Sequence, residues 1–337
     1  MGLSNYQLIL LDNLIYLDEV TKTYGEDTTI EDIVKNLLYK DGDESAGTGT
    51  GTIIQDCLNH YKPGDPEAVN CMMTKEEWIE VLKAIEADPV LCSLTVHKVE
   101  NHTEGALDGF RAMALTGEGV DENIIIFQGT TSAEEWMEDA EGGYSIATAG
   151  QRCALDFVNG LDIVNNKPFV VSGHSKGGNM AQYVALFASD PTIDKCLSFD
   201  GQGFSKELCD TEAYKEAIKK KAQNLYLIAS SGDYVNVLFN SPVPDNHKMY
   251  VEANNKFKQF VDYHKPNTVF TIKEDAGSEY NIVTGLNTTV KMKISSIFIQ
   301  DFVSFIIETE TDAQKKKTVF AALMGIMAAT RGSRIII

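Results

Sequence analysis

Within the run VVSGHSKGGNMAQ, Gly173-His174-Ser175-Lys176-Gly177 places a hydroxyl between two glycines. That G-x-S-x-G spacing suits a sharp turn from a strand into a helix, where a serine sits in strained geometry and only glycine fits close beside it. The flanks agree. Pro168-Phe169-Val170-Val171 is short, apolar and β-branched, as a buried parallel strand should be, and residues 179–188 read as a packed helix. Gly178 allows that helix to pack closely. At the helix N-terminus, unpaired N–H groups and the dipole would stabilise an oxyanion forming beside Ser175, which is what acyl transfer needs. The plainer reading is a chance match in a turn. The strand before it and the helix after it favour a nucleophile.

A serine hydroxyl is a weak nucleophile at neutral pH, so it needs a base, and the base needs an acid to fix its tautomer. The chain holds six histidines, at 60, 97, 102, 174, 247 and 264. In a doubly wound hydrolase the chain order is nucleophile, acid, histidine, which leaves His247 and His264 as bases. His174 adjoins the serine, but neighbours on a tight turn point different ways, and it reads as a packing or supporting group. Two acids follow strands downstream of Ser175: Asp200 in SFDGQG and Asp233 in IASSGDYVN. Both would lie where strand C-terminal ends present catalytic groups. Asp233, after the later strand, is favoured; Asp200 is left to line the pocket or cap a turn.

The elements that must hold these groups begin with two helices in residues 4–40, with Ser4 and Thr28 or Thr29 as caps. Residues 40–52, KDGDESAGTGTGT, form a loop that fits neither a phosphate-cradling nor a dinucleotide glycine pattern. Its Asp41, Asp43 and Glu44 read as solvated rather than as a calcium site. A capping-box helix at 74–87 ends at Asp88-Pro89. Strand-like runs follow at 94–99, 110–115, 124–127, 169–171, 196–199 and 225–228, with helical patterns between the later ones. Such alternation implies an α/β fold, a mostly parallel sheet with helices on both faces. Residues 294–308 and 311–331 are again helical, with Lys315-Lys316-Lys317 on a solvated face. The expected organisation is a helical N-terminal extension over 1–90, a catalytic core over 91–290 and a helical C-terminal segment over 291–337. The ending Arg334-Ile335-Ile336-Ile337 is apolar, from which a longer protein is expected to continue.

Composition narrows the partners. At 337 residues and 43% hydrophobic the chain can fill a sizeable core. A net charge of −20 opposes nucleic acid and long-range attraction to anionic membranes. It leaves room for a lipid substrate and a transient membrane-surface contact, because a local apolar mouth acts at short range while a diffuse field is screened within about 8 Å. Six scattered cysteines, at 57, 71, 92, 153, 196 and 209, show no C-x-x-C pair and no metal-like spacing with histidine, and read as buried thiols of a reducing compartment. No metal or cofactor is expected. The N-terminus lacks a basic leader and the late apolar run 319–330 is too short to span a bilayer, so a cytoplasmic chain is expected, with leaderless export compatible.

IIIFQGTTSAEEWMED at 124–139, taken with VVSGHSKGGNMA, resembles the class 3 lipases, α/β-hydrolases of the fungal triacylglycerol lipase type. It is still more similar to a bacterial lipase-like group with a G-H-S-K-G-G elbow, which includes phospholipase-type toxins. The likeness covers roughly residues 95–275. In class 3 lipases a strand ends in F-R-G-[ST]; Phe127-Gln128-Gly129-Thr130 matches except that glutamine replaces arginine. The resemblance implies that the Thr130 amide and hydroxyl, with the Lys176 amide, form an oxyanion hole. It implies Asp233, in Gly232-Asp233-Tyr234-Val235, as the acid, and His264, in an H-x-x-x-x-F loop, as the base, with His247 matching a non-catalytic histidine ahead of a strand. It further implies a lid over residues 132–140 with Trp136 and Met137, although Trp136 could equally anchor a helix on the core. The implied activity is that of a carboxylic ester hydrolase acting on lipid esters through an acyl-enzyme on Ser175. The rivals are a short-chain esterase or thioesterase, and a non-catalytic hydrolase-fold binding or delivery module whose helical ends recruit a protein partner.

Overall fold

The computed structural model describes residues 2–48, 50–51, 73–103, 107, 109–130, 142–163, 165–189, 192–254, 260–275, 278–310, 312, 314–320 and 322. Cys57, Cys71, His60 and the terminal 334–337 lie outside these residues. Of the second C-terminal helix expected over 311–331, residues 314–320 and 322 are described and are helical.

Apolar runs without polar alternation become the centre of the sheet, because a strand covered on both faces needs no polar side. β3 (Asn123–Phe127) and β4 (Phe169–His174) are buried at every position. With β1 (Thr95–Asn101), β2 (Arg111–Thr116), β5 (Ile193–Phe199), β6 (Leu225–Ser230), β7 (Lys248–Val251) and β10 (Thr289–Val290) they form an eight-stranded sheet in the order β1-β2-β3-β4-β5-β6-β7-β10. β3 to β7 run parallel, and β1, β2 and β10 are antiparallel. β8 (Phe270–Lys273) and β9 (Ile282–Leu286) pair separately.

The period of two sorts the side chains. Ile124, Ile126, Val170, Leu197 and Ile228 face one apolar core, whereas Ile125, Phe127, Val171, Cys196 and Leu227 face the other. The first face is covered by α1 (Asn5–Leu14), α2 (Ile30–Leu38) and α3 (Lys75–Glu86), the second by α4 (Ala149–Asn159), α5 (Lys176–Phe187) and α6 (Glu212–Lys221). A mostly parallel sheet with helices on both faces, and with the serine turn after its central strand, is the α/β-hydrolase architecture. Ser4 and Thr29 cap the first two helices, and Thr74 closes a capping box with Glu77. α7 (Ile294–Thr309) sits on a third cluster, burying Val303 and Ile307 against Tyr234, Val235, Leu238 and Phe239. No helix among the described residues is long and apolar enough to cross a membrane. Cys92, Cys153, Cys196 and Cys209 form no disulfide.

α1 joins the core directly. Leu8, Ile9, Leu10, Leu11 and Leu14 are fully buried, each worth about 1.5–3 kcal/mol of transfer free energy. Among them lies a carboxyl: Ser172 Oγ on β4 donates to Asp12 Oδ2 at 2.7 Å. Burial raises the Asp12 pKa well above the ordinary carboxylate value, against the opposing effect of that hydrogen bond. The folded chain therefore holds this proton more tightly than the unfolded chain does. The associated stability is complete below the unfolded pKa of about 4 and is lost as pH rises toward the folded value. Denaturant unfolding across about pH 5–8 should show stability falling with pH, and Asp12→Asn should flatten that slope. An unchanged slope would contradict the protonated assignment.

Candidate active site

The turn after β4 is under backbone strain. Ser175 has φ 58° and ψ −125°, a region that costs a non-glycine residue about 1–3 kcal/mol. Neighbouring strands hold it: the Ser175 N–H donates to the Phe199 carbonyl at 2.9 Å, and its own carbonyl accepts from Asn179 N–H at 3.1 Å. The glycines answer to space rather than to dihedral freedom. A Cβ on Gly173 would stand 2.8 Å from the Phe127 carbonyl, and one on Gly177 would collide with the same oxygen. Serine commonly caps a helix through its side chain. Here Ser175 occupies the cap position of α5 with no such bond, and its Oγ lies 2.8 Å from His264 Nε2.

His264 closes the 3-10 turn Phe260–His264, 89 residues beyond the serine. Its Nδ1 lies 2.7 Å from Asp233 Oδ1. The other Asp233 oxygen accepts from Val235 N–H at 3.1 Å, Asn236 N–H at 2.7 Å and Asn236 Nδ2 at 2.6 Å. Three donors on one oxygen leave the second directed at the ring. A carboxylate at Nδ1 favours the proton there, so Nε2 accepts from the serine hydroxyl. The structure thus brings Ser175, His264 and Asp233 into one buried chain. His247 is elsewhere, its Nδ1 3.0 Å from the Leu225 carbonyl and its ring stacked on Tyr226.

Asp200, the second acid, ends β5 in a left-handed conformation at φ 49°. Its Oδ1 accepts from Ser230 N–H at 2.8 Å. Burial first, and the negative charge of Asp233 second, raise its pKa well above the ordinary value. That shift favours the neutral form of Asp200. His174 is matched to this arrangement. Its ring lies between Phe199 and His264, with centroid separations of 4.8 Å to each, and its Nδ1 meets the Tyr16 hydroxyl at 2.7 Å. Burial, then the neighbouring His264, push its pKa well below 6.5, so it adds no positive charge beside His264 at neutral pH. His174, Asp200 and His264 also approach closely enough to share a cation, but both ring nitrogens of His264 are engaged by Ser175 and Asp233.

The end of β3 runs directly over Ser175. A Cβ at Gly129 would strike the Tyr16 hydroxyl and the His174 carbonyl and stand 3.1 Å from Ser175 Cβ. Thr130, next in the chain, is buried, as is Lys176 at the first helical position of α5. Gln128, where class 3 lipases carry arginine, accepts from Arg111 Nη1 at 2.9 Å, so β2 brings a guanidinium to this strand end. Arg111 also pairs with Asp18 at 2.8 Å. Trp136 and Met137, with the lid expected over 132–140, lie outside the described residues. Tyr16 and the raised pKa of Asp200 carry no local sequence signal: Tyr16 is 158 residues from His174.

A profile of the Mbeg1-like family matches residues 86–322, more than half of the sequence. The chain belongs to the Mbeg1-like family. No curated protein matches it in sequence. Among solved structures it is similar to a fungal lipase, at 12% identity over 93% of this chain and 95% of that one, with a TM-score of 0.44. It is similar also to MDLA from Penicillium cyclopium, at 15% identity, 80% and 88% coverage and a TM-score of 0.38. Lip2 lipase from Yarrowia lipolytica matches at 13% identity, 69% and 82% coverage and a TM-score of 0.35.

In this Mbeg1-like chain Gly129 is the tightest point between β3, Tyr16 and the elbow. Gly129→Ala should destabilise the fold by about 1–3 kcal/mol, the usual range for overpacking. Denaturation midpoints check this; a neutral substitution would show that the strand end yields freely.

Proposed function

We propose that this protein is a serine-dependent carboxylic ester hydrolase, with Ser175 as nucleophile, His264 as general base and then acid, and Asp233 as the group that orients His264. The observation that carries this reading is the continuous contact from Ser175 Oγ to His264 Nε2 at 2.8 Å and from Nδ1 to Asp233 at 2.7 Å. In this mechanism Nε2 takes the hydroxyl proton as Oγ bonds to the acyl carbon, and Nδ1–H stays with Asp233. The backbone amides of Thr130 and Lys176, with the Thr130 hydroxyl, stabilise the oxyanion of the tetrahedral intermediate. His264 returns the proton to the leaving alcohol. Water, deprotonated by the same imidazole, then cleaves the acyl-enzyme on Ser175. Every step draws on side chains and backbone amides of this chain.

Ser175→Ala should abolish ester hydrolysis and fluorophosphonate labelling while leaving the thermal midpoint within a few degrees. Asp233→Asn should cost about 10⁴-fold in kcat, because the ring loses its tautomer. Asp200→Asn replaces a carboxyl whose neutral form is favoured by burial with a neutral side chain of similar size, and should retain activity within about tenfold. Full activity in Ser175→Ala would end this reading, and no ester turnover by the unaltered protein would favour a hydrolase-fold binding or delivery module.

Lipid esters are the proposed substrate class, supported by the outer face of α7. Ile294, Phe298, Phe302 and Phe305 fall on one side of that helix and are exposed, Phe298 at 71% and Phe305 at 60%. The helix rests on Tyr234 to Phe239, the segment that follows Asp233. A helix that turns aromatic residues outward suits transient contact with a neutral lipid surface, whereas the net charge of −20 opposes anionic membranes and nucleic acid. Phe298→Ser with Phe305→Ser should lower turnover of an emulsified long-chain ester at least fivefold and leave a soluble short-chain ester unaffected. Activity confined to acetate esters or thioesters would make it a short-chain enzyme instead.

A further inference from the structure

Outside the serine site, three metal-ligand atoms of different chemical types converge. Glu100 lies near the end of β1 and His102 is the first residue beyond it, where its N–H still donates to the Phe110 carbonyl at 2.9 Å, so the extended run keeps the two on one face. Cys153, in the second turn of α4, meets them there. Glu100 Oε1 is 2.7 Å from His102 Nε2, Cys153 Sγ is 3.4 Å from Glu100 Oε1, and Sγ is 3.8 Å from His102 Nε2.

The arrangement differs from a nucleophile relay. In the Ser175 site the acid and the nucleophile address opposite nitrogens of one ring. At His102 the carboxylate and the thiol address the same nitrogen. Three donors gathered on one point have the topology of a coordination face. Tetrahedral zinc with N and O near about 2.05 Å and S near about 2.3 Å needs N···O edges of about 3.4 Å and S···N or S···O edges of about 3.6 Å. The two sulfur edges are already within about 0.2 Å of that value, and the carboxylate must swing outward by about 0.7 Å. A thiolate, a carboxylate and a neutral imidazole together neutralise a divalent ion. Cys153 is buried while Glu100 and His102 are half-exposed, which leaves a side for water as fourth ligand.

We propose that Glu100, His102 and Cys153 form a zinc site that clasps the edge strand β1 to α4. Such a clasp reaches the core of the enzyme: Gln151, on α4, donates to Asn179 Oδ1 on α5 at 2.7 Å. Zinc binding releases the Cys153 proton to solvent and involves no change of oxidation state.

Untagged protein, stripped with a chelator and titrated with Zn²⁺ against a chromophoric competitor, should bind one equivalent with submicromolar affinity. Its thermal midpoint should rise by about 5 °C, with short-chain ester turnover within twofold. Cys153→Ser and His102→Ala should lose that equivalent, whereas Cys57→Ser and Cys71→Ser should retain it. Should Cys153→Ser not fold, Co²⁺ added to the unmodified protein gives an independent readout: thiolate-to-cobalt charge transfer, suppressed in Glu100→Gln or His102→Ala. No tight equivalent of zinc, an equivalent that survives Cys153→Ser, or a cobalt spectrum without thiolate character would each overturn the proposal.

Discussion

The strained turn at Ser175 is the constraint around which the molecule is arranged. A residue at φ 58° and ψ −125° persists only where its surroundings leave it no cheaper conformation. Those surroundings are the strand ends on either side. Phe199 on β5 accepts from the serine amide, the Phe127 carbonyl on β3 leaves no room for a side chain at 173 or 177, and α5 begins at once. The parallel register of β3, β4 and β5 fixes all three ends at one level. The same register brings Gly129 and Thr130 to Ser175, because the chain leaving β3 must pass over the turn that its carbonyl supports. Strain and placement thus have one source.

Asp200, Asp233, His174 and His264 gather behind that turn. Burial favours the neutral form of two of them, Asp200 as an acid and His174 as an imidazole. Asp233 differs from Asp200 in its donors, since three hydrogen bonds converge on a single oxygen where Asp200 accepts one from the Ser230 amide. The hydrogen-bond pattern therefore distinguishes two acids that sequence position alone left as rivals, with Asn236, three residues after Asp233, supplying two of the donors.

What could be read from the sequence was local. The elbow glycines, the capping boxes at Ser4 and Thr74 and the apolar strands β3 to β6 each carry their signal within a dozen residues. β7, β8 and β10 are short, with few apolar positions, and a four-residue run such as KMYV has no periodicity to detect. β9 contains a glycine at φ 158°, extended backbone that composition alone does not mark as a strand. Contacts between distant segments were invisible for a different reason. Tyr16 with His174, Asp12 with Ser172, and Glu100 and His102 with Cys153 are separated by 158, 160, 53 and 51 residues, and nothing in either partner's neighbourhood names the other. The cysteines look scattered in sequence for the same reason that one of them lies beside a histidine in space.

Those long contacts also assign α1 a mechanical part. Val170, Ser172 and His174 alternate onto one face of β4, and α1 with the residues after it covers that face. Asp12 holds Ser172, and Tyr16 holds His174, whose ring in turn lies against His264. Displacing α1 would expose its leucines and also release the histidine that packs against His264. A helix that supplies apolar area, followed at once by a tyrosine whose hydroxyl reaches the same strand, couples the stability of the sheet to the position of His264. The first forty residues are thereby part of the support for the serine, and their removal would cost geometry at the site as well as free energy of folding.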